Sequence, residues 1–136
     1  MKNLVSISKV LLLALLFSGM SLSIRAQSPK VTFQKIATMI GQGQAGELAK
    51  HFNSTVELTL PTSDKTYSAQ QAGFVLKEFF ATRAPKAYKI VHTGHSGQTH
   101  YQTGTLSTSK GVYDANIFLK KVGDKYLITQ LTFEEE

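Results

Sequence analysis

The chain predicts an α+β fold, a curved antiparallel sheet with three N-terminal helices packed on one face. Helical spacing of apolar residues in three segments before Pro85, and alternating segments separated by turn residues after it, predict this class. A third observation sets its bounds. Residues 1–26 of the 136 read as an export leader, so residues 27–136 form a single domain.

The leader carries Lys2 and Lys9 ahead of and within its start, then the apolar run Val10 to Phe17, then Ser21 to Ala26 before a cleavage point at Gln27. That run is shorter than the roughly 20 residues a spanning helix needs. No later segment is long and apolar enough to cross a membrane, and no cysteine is present for a lipid anchor or a disulfide. The expected location is therefore outside the cytoplasm, periplasmic or secreted. Lys2, Lys9 and Arg25 account for half of the formal charge of +6, which falls to +3 without the leader. Lys120, Lys121 and Lys125 lack arginine or stacking aromatics arranged for nucleic acid, so no nucleic-acid partner is expected.

The first helix is expected over Lys30 to Gly41, with Pro29 near its start and Phe33, Ile36, Ala37 and Ile40 at helical spacing. Gly41-Gln42-Gly43-Gln44 breaks it. Ala45 to Phe52 is a second short helix. Thr55 to Leu60 alternates as a half-buried strand, and Pro61 to Tyr67 reads as a polar loop. Ser68 opens the third helix with a capping box to Gln71, and Ala72, Val75, Leu76, Phe79 and Phe80 form its apolar stripe. Pro85 stops it. Strands follow at Ala87–Thr93, Gln98–Thr108, Val112–Val122 and Lys125–Phe133, with tight turns expected at Lys110-Gly111 and Gly123-Asp124 and a looser loop at Gly94 to Gly97.

Those turns imply that Gly104 opposes Ile117 and Leu119 opposes Ile128. One face then carries Leu106, Tyr113, Ala115, Ile117, Leu119, Tyr126 and Ile128. The other carries Tyr101, Val112, Phe118, Leu127, Leu131 and Phe133. The helices cover one face only. The second apolar face is expected to meet a partner, most simply another copy of the chain in a homodimer.

The passage Gly46 to Leu58 and this order of elements resemble the nuclear transport factor 2-like (cystatin-like) α+β roll superfamily. More closely, Leu48-Ala49-Lys50-His51-Phe52-Asn53, the helix Ser68 to Phe80, Gly104-Thr105-Leu106 and Lys125-Tyr126-Leu127-Ile128 resemble an uncharacterised family of small exported Bacteroidetes proteins, a domain of unknown function. The match spans nearly all of residues 27–136. The superfamily includes isomerases, dehydratases, transport adaptors and ligand-binding members, so the resemblance implies a fold and leaves the function open.

Such rolls hold a pocket between the helices and the sheet. The expected register places Gln102, Tyr113 and Gln130 inward, near small Gly104 and Ala115, as candidate ligand-binding residues. No catalytic residue is expected. An isomerase of the ketosteroid type needs a carboxylate base in a dry pocket. Yet Asp114 points away from Tyr113, Asp64 and Asp124 fall in loops, and Glu57 and Glu78 face outward. His92, His95 and His100 cluster around one hairpin, with His92 and His100 on neighbouring strands, but they lack a metal-site spacing. No metal and no cofactor are expected. Ser96 beside His95 has no acid to complete a triad. The expected function is non-catalytic: binding of a small molecule or a protein partner in the cell envelope. The alternatives are an isomerase- or hydrolase-like enzyme using the pocket, and a structural envelope protein without one.

Overall fold

Ser28 and Pro29 begin the first helix, and the computed structural model describes residues 27–136 from just ahead of them. The leader expected at residues 1–26 lies outside the described residues. Ser28 Oγ accepts from Val31 N, and Pro29 supplies a preset φ where no amide is needed. Helix α1 is Pro29–Gly41, and it buries Phe33, Ile36, Met39 and Ile40. Gly43, at φ 66°, turns the chain into helix α2, Ala45–Ala49.

Helix α2 is shorter than expected. At Phe52 the chain enters strand β1, Phe52–Leu60, because His51 O accepts from Ile128 N at 2.7 Å and pulls the backbone into a sheet ladder. Val56, Leu58 and Leu60 point into the core. The expected polar loop after it is strand β2, Ser63–Ser68, paired back on β1 through the turn Pro61-Thr62. It is an edge strand with most residues exposed, so no apolar alternation marks it in sequence.

Helix α3, Ala69–Thr82, starts at the expected capping box: Ser68 Oγ accepts from Gln71 N at 3.2 Å, and Gln71 Oε1 accepts from Ser68 N at 3.3 Å. It buries Ala72, Leu76, Phe79 and Phe80. Four strands follow: β3, Pro85–Ser96; β4, Thr99–Thr108; β5, Gly111–Val122; and β6, Lys125–Glu135.

The six strands run in the order β2-β1-β6-β5-β4-β3. All neighbours are antiparallel except β1 and β6, which pair in parallel. The sheet is therefore mixed, a correction to the fully antiparallel expectation. Bulges on β3 beside Lys86 and Val91 add bend to that edge.

Register decides which side chains face the helices. The β5–β6 turn is Gly123-Asp124, and Leu119 opposes Ile128, both as expected. The β4–β5 turn is Ser109-Lys110 instead of Lys110-Gly111. Thr108 Oγ1 fixes it by donating to Gly111 O at 2.8 Å and accepting from Lys110 N at 3.1 Å. Gly104 thus opposes Ala115, not Ile117. That shift is two residues, so every side chain keeps its expected face.

One slip does not cancel. Leu119 opposes Ile128 but Phe118 opposes Gln130, so Thr129 is an extra residue in β6. Its hydroxyl donates to Phe118 O at 3.4 Å. Beyond this bulge the faces of β6 swap. Leu131 and Phe133, expected outside, are fully buried under the helices, and Gln130, expected inside, lies on the outer face. Phe133 stacks on Phe79 at 5.4 Å between ring centres and meets Phe80 edge-on at 6.0 Å. Among the described residues no helix is long and apolar enough to cross a membrane.

Candidate functional site

The helix-covered face consists of rows that run across the strands. One row is Thr93, Gln102, Ile117, Leu131 and Leu58. The row on one side of it holds Ile90, Gly104, Ala115 and Phe133, and the row on the other holds His95, His100, Leu119 and Ile128.

Gln102 is fully buried. Its Oε1 accepts from the Tyr88 hydroxyl at 2.8 Å, and its Nε2 is enclosed with no hydrogen-bond partner among the described residues. Gly104 makes this pair possible: a Cβ there would overlap the end of the Tyr88 ring. Burial pushes the Tyr88 phenol well above its ordinary pKa, so it stays a neutral donor. Tyr113 is also buried, in the row of Tyr88 and Leu106, two rows from Gln102. Its Oη accepts from Arg83 Nε at 2.9 Å, and its ring meets Phe79 edge-on. The Arg83 guanidinium lies over the Phe79 ring at 5.0 Å.

Gln102, Tyr113 and Gln130 therefore do not converge. The gap expected beside Gly104 is filled by Tyr88, Tyr113 is engaged by Arg83, and Gln130 faces the other side of the sheet between Phe118 and Glu57. The Thr129 bulge is the reason for the last of these.

An open cleft of about 680 Å³ lies elsewhere, at the end of the sheet where the start of α1 faces the β3–β4 hairpin. Phe33, Pro29 and Ile90 give it an apolar floor, while Lys30, His95 and His100 supply polar and basic groups. Among the described residues no carboxylate lines it. The hairpin that forms one wall is tight where a loose loop was expected. Gly97, at φ 59°, makes a two-residue turn with Gln98, so Ser96 opposes Thr99 and His95 opposes His100. The His95 and His100 rings are 5.6 Å apart, and Tyr126 meets His100 edge-on at 5.3 Å. His92 does not join them. The bulge at Val91 puts it opposite Thr103 on the outer face, 5.8 Å from the Tyr101 ring.

All nine Asp and Glu residues of the chain are exposed. A carboxylate base made strong by a dry pocket thus has no counterpart here. The cleft was missed in sequence because its walls come from distant segments. The available signal was symmetry: with Gly97-Gln98 as the turn, His95 and His100 are equally spaced from it and must face each other.

The outer face keeps Tyr101, Phe118 and Leu127 half-buried, with Val112 and Val122 more exposed. Tyr101 lies across β3 where Gly94 has no side chain, since a Cβ there would overlap its phenol end.

Residues 33–134 match the model of a family described as a domain of unknown function, DUF4783. The crystal structure of a DUF4783 family protein from Bacteroides ovatus is similar at 29% identity and TM-score 0.71, covering 74% of this chain and 92% of that one. One from Bacteroides uniformis is similar at 22% identity and TM-score 0.72, covering 76% and 95%. A nuclear transport factor 2-like protein of unknown function from Cytophaga hutchinsonii shares the fold at 9% identity and TM-score 0.60, covering 83% and 94%. No curated protein matches the chain.

Proposed function

Since this chain belongs to the DUF4783 family, a domain of unknown function with a nuclear transport factor 2-like α+β fold, we propose its role from its own geometry: a non-catalytic, exported domain that binds a small molecule, apolar along its length and anionic at one end. The cleft between α1 and the β3–β4 hairpin carries this reading. Its volume of about 680 Å³ suits a small molecule, since such sites run from roughly 300 to 1,000 Å³. Phe33 and Ile90 offer apolar burial, Lys30 offers a positive charge, and the two histidines offer polar ring nitrogens.

The exposure of every carboxylate favours binding over general-base chemistry. The three-part pattern of residues 1–26 supports export. The aromatic and aliphatic side chains left on the outer sheet face support self-association as a homodimer.

Native mass spectrometry of the untagged protein recovered from its own host tests these points together. The expected spectrum is a chain beginning at Gln27, paired, with an added mass released on denaturation. Titration of the mature chain with decanoate and with decanol then reads the charge preference, and decanoate is expected to bind roughly threefold tighter. A bare chain that binds neither probe overturns the ligand reading.

A further inference from the structure

We propose that His95 and His100 form a binding site for a divalent transition-metal ion, with Cu(II) the preferred occupant. The two residues oppose each other on adjacent strands, next but one to a two-residue turn, so the backbone fixes their spacing. Both face the cleft, and their ring centres are 5.6 Å apart. With metal–nitrogen bonds of about 2.0 Å, two imidazoles on one ion place their ring centres roughly 4.5–6 Å apart. The observed spacing lies inside that range without moving the backbone. Tyr126, edge-on to His100, restricts that ring from the β6 side.

The donor set selects the ion. Two neutral imidazoles suit borderline first-row ions, and the affinity order for such ligands peaks at Cu(II). No third His, Cys, Asp or Glu joins the pair among the described residues. The remaining coordination positions therefore open to water or to an anionic group in the cleft. Lys30 on the α1 wall, and Lys121 on the other side of His100, both repel a cation. They limit affinity and make an anionic co-ligand favourable. The site shares its two histidines with the cleft of the ligand reading above but does not depend on it: a metal ion needs only the hairpin, whereas the apolar body of a ligand needs Phe33 and Ile90.

Cu(II) alone is the probe, titrated into the untagged mature chain and followed by electron paramagnetic resonance and calorimetry. The expected result is one equivalent bound, with nitrogen couplings from two imidazoles. His95→Gln and His100→Gln each weaken binding roughly tenfold or more, while His92→Gln, on the outer face, leaves it unchanged. In the unaltered chain, substoichiometric Cu(II) broadens the imidazole proton signals of His95 and His100 before those of His51 and His92, which reads the site even if a variant fails to fold. No saturable binding, binding that survives loss of both residues, or broadening of His51 or His92 first overturns the proposal. Decanoate binding to metal-free protein is measured separately, so either idea can fail alone.

Discussion

Tyr88 and Gln102 show how a single missing side chain organises a buried polar pair. Gly104 makes room, Tyr88 crosses it, and the Gln102 side-chain carbonyl accepts the phenol's hydrogen bond. Removing the hydroxyl in Tyr88→Phe leaves both ends of a fully buried amide unpaired and is expected to destabilise the fold by about 1–3 kcal/mol in urea unfolding. Adding Gln102→Leu removes the orphaned groups, so the double variant should recover most of that loss. A double variant less stable than Tyr88→Phe would show that the amide is satisfied in another way. His51 sets a pH dependence. Partial burial lowers its pKa first, the Lys35 charge lowers it further, Glu47 opposes them, and Lys125 adds to the lowering. Its folded pKa lies below the ordinary 6.5, so the unfolded chain takes up the proton first as pH falls. Its neutral form is tolerated in full above that pH, and stability drops as pH falls through 6.5 toward the folded value. Between pH 7.5 and 5.5 the chain should lose more stability than His51→Gln does, and equal losses would remove His51 from the account.

At the scale of the element, Thr129 matters more than its size suggests. One extra residue in β6 places Leu131 and Phe133 under the helices, where Phe133 packs against Phe79 and Phe80. Phe133→Ala should cost about 3–5 kcal/mol, as expected for a buried aromatic and not for a residue on a solvated strand face; thermal unfolding distinguishes the two. The same strand marks the boundary of what sequence shows. Helices α1 and α3 were legible because Phe33, Ile36, Leu76 and Phe80 repeat at helical spacing and Ser68 with Gln71 announces a start. The last turn was legible because Gly123 supplies a positive φ. Strand β2 was not, since Ser63 to Thr66 bury too little to alternate. The Thr108-anchored turn was displaced by one position because its hydroxyl bonds depend on geometry that composition does not record. A bulge leaves no mark in composition either, and that one residue moved Gln130 out of the predicted pocket. The cleft depends on bringing Lys30 to His95 and His100, which no local pattern contains.

For the molecule as a whole, the sheet has one face closed by helices and one face open. Tyr101, Phe118 and Leu127 on the open face are only half-buried, and Val91, 65% exposed, stands at its edge. Two copies meeting through this face would cover them. Light scattering of the mature chain is expected to give a dimer, with Phe118→Lys shifting it to monomer while thermal stability at high dilution stays unchanged. A monomer at all concentrations rules out that pairing. The strand order carries another consequence. The sixth strand in chain order, β6, lies between β1 and β5 and joins the two halves of the sheet. It also brings Ile128, Leu131 and Phe133, all fully buried, to the middle of the core that the helices cover. The strand pair β1–β2 and the meander β3–β4–β5 therefore share no ladder of their own, and they form one sheet only through β6. With no disulfide tying the two halves together, β6 is the seam of the sheet, and whatever loosens it parts one half from the other.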